Sequence, residues 1–193
     1  MEETHYRLFV AIESPEAIKE QIAKVQGELK RIIPEAKVSW TKPEQLHLTL
    51  KFLGNVDATQ VDALHEALRA ACKDFGPLRL AAQGIGAFRD WQRPRVVWAG
   101  VNDDQDRLTK LQQLIEVAVS PFTKEEPEGQ FTGHVTLARV KWISRPETRT
   151  LAATGEAFAE KVFGEWTIGS LAIMRSELSS AGARHTELFR VPL

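Results

Sequence analysis

The sequence contains only one cysteine, Cys72, which excludes an internal disulfide and is typical of a reducing compartment. It has no apolar run long enough to span a membrane, and its first residues are acidic where a secretory signal would be basic. It also lacks an excess of either charge. The formal net charge is −1, so no overall positive field attracts long nucleic acids, whereas a short or terminal stretch needs only local charge. We therefore expect a cytoplasmic monomer without membrane attachment.

The apolar content is sufficient for a substantial core. A chain of 193 residues with 43% hydrophobic residues can form one large domain or two small lobes that share a core. Residues 6–13 (YRLFVAIE) predict a strand, and Ser14 followed by Pro15 predicts the start of a helix. The buried face of this helix is indicated by apolar residues at helical spacing: Ile18, Ile22, Val25 and Leu29. A short strand, a turn and the strand LHLTLKFLG follow, and Asp57 predicts the start of a second helix.

The second half of the chain repeats this order. RPRVVWAGV favours a strand, and Asp103 or Asp104 would cap the next helix. GQFTGHVTLARV favours another strand and SRPETRTLAATGEAF a final helix, while residues 166–178 and 185–193 are two further strand candidates. Alternating helices and strands can look periodic by themselves. Even so, the order predicts an α+β protein built from one duplicated lobe.

A repeated tetrapeptide favours the duplication more strongly. The motif occurs as HLTL in one half and as HVTL in the other, and two copies are improbable in a chain of this composition. Because successive side chains in a strand point to opposite faces, His47 and Thr49 share one face, about 7 Å apart, while the apolar residues share the other. His134 and Thr136 repeat this arrangement. Two duplicated lobes would bring both polar faces together across a cleft.

Two imidazoles and two hydroxyls in one cleft suit displacement at phosphorus. One imidazole can be neutral and accept a proton while the other is protonated and donates one, and threonine hydroxyls can bind phosphate oxygens. Two alternatives stay open: a structural histidine at either motif, or a zinc site, for which neither motif has a second ligand at a usual spacing. The pattern predicts phosphodiester chemistry without a metal ion. We expect His5, His65 and His185 to be solvated or capping residues.

With both motifs placed, the chain resembles the 2H phosphoesterase superfamily, named for two His-x-[Ser/Thr]-x motifs. Within it, the sequence is similar to the bacterial and archaeal RNA 2′,3′-cyclic phosphodiesterases, long called 2′-5′ RNA ligases. The resemblance covers nearly the whole chain and includes RLFVAIE, VSWTKPEQLHLTLKFLG, RPRVVWAGV and GHVTLARV. It implies a single bilobal domain over residues 1–193, with two α+β lobes related by a pseudo-twofold axis and antiparallel sheets facing across a cleft.

The resemblance also implies roles for five residues. His47 is expected to be the proton donor and His134 the proton acceptor, and the substrate is expected to be bound by Thr49, Thr136 and Arg139. The implied reaction opens a 2′,3′-cyclic phosphate at an RNA 3′ end and leaves a 2′-phosphate, without cofactor or metal. Reversible 2′-5′ ligation, hydrolysis of small cyclic nucleotides and a non-catalytic nucleotide-binding module remain as alternatives.

Strand geometry conflicts with one of these expectations. Arg139 comes five residues after His134, so strict alternation points it to the opposite face, and only a bulge or the end of the strand would re-aim it. Phe9 and Trp40 lie on strands that should flank the site, which makes them candidates for stacking on a terminal base.

Overall fold

The computed structural model describes residues 4–127, 129–179 and 182–193. These residues form nine strands, which are β1 (His5–Glu13), β2 (Lys37–Trp40), β3 (His47–Asp57), β4 (Leu78–Phe88), β5 (Val96–Asn102), β6 (His134–Trp142), β7 (Val162–Ile168), β8 (Ser170–Ser179) and β9 (Gly182–Pro192). The helices are α1 (Glu16–Ile32), α2 (Val61–Cys72), α3 (Arg107–Val119) and α4 (Arg145–Ala157). No helix in these ranges is long and apolar enough to cross a membrane.

The strands form one antiparallel sheet that is symmetric about its centre. Its order is β7-β4-β5-β6-β3-β1-β8-β9, with β2 beside β6. The motif strands β3 and β6 are central and pair through Leu48 and Val135. Outward from them, β1 corresponds to β5, β8 to β4 and β9 to β7. The predicted α+β class is confirmed, and the strands on both sides of the motif strands belong to one sheet.

The apolar faces of the motif strands form the centre of the core. The alternate residues Leu48, Leu50, Val135 and Leu137 are fully buried, and each such side chain contributes roughly 1.5–3 kcal/mol relative to an exposed one. Helices α2 and α3 pack against each other, α3 also contacts β3, and α1 contacts β7 and α4. The stripe predicted for α1 is buried as expected.

Two predicted helix starts are displaced. Helix α1 begins at Glu16 because Pro15 has extended backbone angles and occupies the N-cap position, so Ser14 lies one residue too early to cap it. Asp57 caps a short 3-10 turn, Ala58–Gln60, which precedes α2. At α3 the prediction succeeds in part, since the Asp103 carboxylate accepts hydrogen bonds from the first amides of the helix.

Strand β4 and the division of the tail were not predicted. The sequence of β4, LRLAAQGIGAF, is rich in alanine and glycine where strands usually carry branched or aromatic residues. Gly84 has a positive φ of 68° and sits where the pairing with β5 shifts register. The tail contains three strands where two were expected, because Gly169 separates β7 from β8.

Candidate functional site

The two motif strands depart from strict alternation at the same point. In β3, two consecutive residues, Leu50 and Lys51, are buried before Phe52 is exposed. In β6, two consecutive buried residues, Leu137 and Ala138, likewise precede an exposed Arg139. The pairing of each strand with its outer neighbour shifts register at this place, as expected for a bulge. The bulge therefore returns the fifth residue after each histidine to the histidine's face.

Both motif faces open on one cleft of about 620 Å³. All five residues expected at the site line it: His47, Thr49, His134, Thr136 and Arg139. The conflict over Arg139 is resolved by the bulge in β6. The structure thus brings together the whole predicted set from two separate parts of the chain.

His134 is held in a defined orientation. Its Nδ1 lies 2.8 Å from the Thr132 carbonyl oxygen, and because a carbonyl only accepts, Nδ1 carries the hydrogen and Nε2 is left for proton exchange. Phe88 packs edge-on against the ring, with centroids 4.9 Å apart. Burial lowers the pKa of His134, and the positive charge of Arg139 lowers it further, against the hydrogen bond to Thr132, which raises it.

His47 stacks on Phe9, with ring centroids 4.9 Å apart and planes 27° apart. Burial is the main cause that lowers its pKa to about 4, and the neighbouring His185 lowers it further. The Gln45 backbone and the charge of Glu13 act in the opposite direction. In the free protein at neutral pH, His47 is therefore uncharged.

Neither predicted stacking residue presents a free face to the cleft. Phe9 borders the cleft but is only 2% exposed, so it supports His47. Trp40 pairs with Ala138, and the ammonium group of Lys30 lies 5.2 Å from its ring centroid. The cleft instead carries Phe52, which is 47% exposed.

A third histidine borders the cleft, and the expectation that His185 is a solvated or capping residue was wrong. Its ring lies edge-on to His47, with centroids 5.4 Å apart, and its centroid is 5.0 Å from that of Phe9. Its Nδ1 is buried and has no hydrogen-bond partner among the described residues. Burial lowers the pKa of His185. No motif marks this residue, which reaches His47 because β9 pairs with β8 and β8 with β1.

A buried ion pair lies beneath the cleft. Lys51, in the bulge of β3, is 1% exposed, and its Nζ lies 2.7 Å from a carboxylate oxygen of Glu116 on α3. The same Nζ donates a 2.8 Å hydrogen bond to the Glu126 carbonyl, in the segment before β6. Lys51 thus ties the first motif strand to the segment that leads into the second.

The zinc site left open by the sequence would need three or four ligands close together. Across residues 4–127, 129–179 and 182–193, no three His, Cys, Asp or Glu side chains are placed to hold a metal ion.

Known proteins are similar to this chain in sequence and in fold. Residues 12–98 match the family described as LigT like Phosphoesterase. The RNA 2′,3′-cyclic phosphodiesterase of Methanothermobacter thermautotrophicus is 30% identical over 189 residues, which are 96% of this chain and 98% of the relative. The protein of the same name from Methanocaldococcus jannaschii is 32% identical over 178 residues, 91% and 94% of the two chains. The crystal structure of TT0787 from Thermus thermophilus matches with a TM-score of 0.78 and 27% identity over 97% of both chains.

Proposed function

Since this chain belongs to the LigT-like phosphoesterase family, together with RNA 2′,3′-cyclic phosphodiesterases, we propose that it opens 2′,3′-cyclic phosphates at RNA 3′ ends. The observation that carries the proposal is the single cleft lined by both His-x-Thr faces. Each half of the chain supplies one histidine, so residues 1–193 would work as one bilobal unit. A single chain completes the cleft, and we expect a cytoplasmic monomer.

The proposed reaction is an in-line attack of water on phosphorus. His134, neutral in the free protein, accepts a proton from the water at Nε2 as the new P–O bond forms. The P–O3′ bond breaks on the opposite side, and His47 donates a proton to O3′. The phosphate remains on O2′. The imidazoles end with exchanged protonation states and return to the starting state through solvent.

His47 has to become protonated when the substrate binds. In the free protein its pKa is about 4, so at pH 7 the donor form is scarce. A cyclic phosphodiester carries one negative charge, and a negative charge close to an imidazole favours its protonated form. We therefore expect substrate binding to raise the pKa of His47, so that its imidazole is protonated in the complex and can act as the acid.

The two threonines and Arg139 are proposed to hold the phosphate. Thr49 and Thr136 lie on the same faces as the histidines, and their hydroxyls donate hydrogen bonds without adding charge. Arg139 supplies the positive charge and a planar group that suits two phosphate oxygens.

The direct test is incubation with an oligoribonucleotide that ends in a 2′,3′-cyclic phosphate, followed by phosphorus NMR of the product. We expect a 2′-phosphate, equally with and without EDTA. A 3′-phosphate would reverse the roles of the two histidines, and activity lost in EDTA and restored by zinc would refute the metal-free mechanism. An added strand with a 5′-hydroxyl end reports ligation in the same tube, because that hydroxyl would replace water.

A substrate with sulfur in place of O3′ separates the acid from the base. A thiolate leaves without help from an acid, so His47→Ala should recover most of its lost rate on this substrate, whereas His134→Ala should not. Recovery by His134→Ala alone would assign the donor role to His134.

A further inference from the structure

Beyond the cleft, β6 carries a row of exposed side chains. Arg139 lines the cleft, and Lys141 and Trp142 follow it on β6, both exposed. On the neighbouring strand β2, Ser39 pairs with Arg139 and Lys37 pairs with Trp142. Lys37 is also exposed. We refer to Lys37, Lys141 and Trp142 as the outer strip, which continues the cleft wall for about 10 Å past Arg139.

A second bulge in β6 creates the outer strip. The pairing steps from Val38 and Val140 directly to Lys37 and Trp142, so β6 has one extra residue there. Lys141 and Trp142 are consequently both exposed, where alternation would turn one of them inward. Trp142 is 52% exposed. Within the described ranges its ring makes no stacking or cation-π contact.

The outer strip is positively charged although the whole chain is not. Among the described residues, no carboxylate lies within salt-bridge distance of Lys37, Arg139 or Lys141. The carboxylate of Glu147 accepts hydrogen bonds from the Ser144 hydroxyl and the Glu35 amide, and it forms no ion pair with these three cations. With a formal net charge of −1, a local cluster of this kind is what a nucleic-acid end would need.

We infer that the outer strip binds the RNA strand that leads to the cyclic phosphate, with the lysines on backbone phosphates and Trp142 stacked on a base. The inference rests on the proposed function and specifies its substrate class. The preferred substrate is an oligoribonucleotide end, because Trp142 is not part of the cleft lining and lies about 10 Å along the strand past Arg139.

The test compares a nucleoside 2′,3′-cyclic phosphate with a five-nucleotide RNA bearing the same end. Base stacking on an aromatic side chain is worth ~1–3 kcal/mol, so Trp142→Ala should lower kcat/KM about 5- to 150-fold on the oligonucleotide. The mononucleotide should be affected little. Trp142→Phe keeps a stacking ring and should recover most of the loss.

The contribution of the two lysines is measured from the salt dependence of RNA binding. Because each phosphate contact to a single strand contributes ~0.7 to the slope of log affinity against log salt, Lys37→Gln with Lys141→Gln should make that slope shallower by about 1.4. The matched control, Lys73→Gln with Lys110→Gln, removes two exposed charges from α2's end and α3 and should leave the slope unchanged.

The outcomes separate this inference from the proposed function. Equal losses on both substrates, or no loss with Trp142→Ala, would overturn the outer strip while the phosphodiesterase activity stands. If neither substrate is hydrolysed, the proposed function fails. Fluorescence anisotropy of the labelled oligonucleotide then decides the inference, because weaker binding by Trp142→Ala and by the lysine double variant supports it and unchanged binding refutes it.

Discussion

Acid should destabilise this protein through His47. Burial and His185 hold its pKa at about 4, against 6.5 for an ordinary imidazole. Because the folded value is the lower one, the unfolded chain binds a proton first as the pH falls. The contribution of His47 is therefore fully present above pH 6.5 and is lost as the pH falls toward 4.

The size of the effect follows from the difference between the two pKa values. One pKa unit corresponds to about 1.4 kcal/mol, so a pKa lowered from 6.5 to about 4 limits the loss to about 3 kcal/mol. Most of it, about 2 to 3 kcal/mol, should be reached by pH 4.5. That is a large share of the ~5–15 kcal/mol by which a domain is stable.

Urea unfolding at pH 7.5 and pH 4.5 measures this loss. His47→Gln keeps a polar side chain but removes the titration, so its free energy of unfolding should fall about 2 to 3 kcal/mol less between the two pH values. His134 and His185 face His47 and stay in both proteins, so the comparison isolates His47. NMR titration of His185→Phe should show the pKa of His47 rising. Equal acid losses in wild type and His47→Gln, with a His47 pKa near 6.5, would refute the reasoning.

Two further predictions concern the motifs and the ion pair below them. His47→Ala and His134→Ala should each lower kcat ~10²–10⁴-fold. The double variant should lose less than the product of the two single losses, because the pair acts as a unit. Full activity in either single variant would remove that residue from the mechanism. Alanine at either motif threonine should cost only about fivefold, for one neutral hydrogen bond. Lys51→Met should lower the free energy of unfolding by about 1 to 3 kcal/mol because Glu116, which is 21% exposed and keeps a hydrogen bond from Gln112, loses its cationic partner, and Glu116→Gln in the same chain should recover part of it. Thermal unfolding measures both changes, and additive losses would contradict the pairing.

The sequence alone predicts the residues that depend on local periodicity. Strand alternation needs no knowledge of neighbours, so it placed His47 with Thr49 and His134 with Thr136 on one face. The helical spacing of the α1 stripe succeeds for the same reason. Both patterns are set by residues that are close in the sequence, and the tertiary structure adds only the burial of their apolar side.

Features that depend on distant pairing could not be predicted in this way. His185 meets His47 through the order β9-β8-β1-β3, and nothing near His185 in the sequence encodes that order. Strand β4 is defined by its neighbours β5 and β7, since its own alanines and glycines carry little strand preference.

Arg139 shows how the bulges make a symmetric cleft chemically asymmetric. Two identical motifs give no reason for one imidazole to be the acid and the other the base. The bulges place unlike residues at equivalent positions, an aromatic ring at Phe52 and a cation at Arg139. Burial is the main cause that lowers the pKa of both imidazoles, and it is at His134 that the charge of Arg139 adds to the lowering. We therefore expect the substrate phosphate to bind in one orientation, toward Arg139, and the two histidines to keep separate roles.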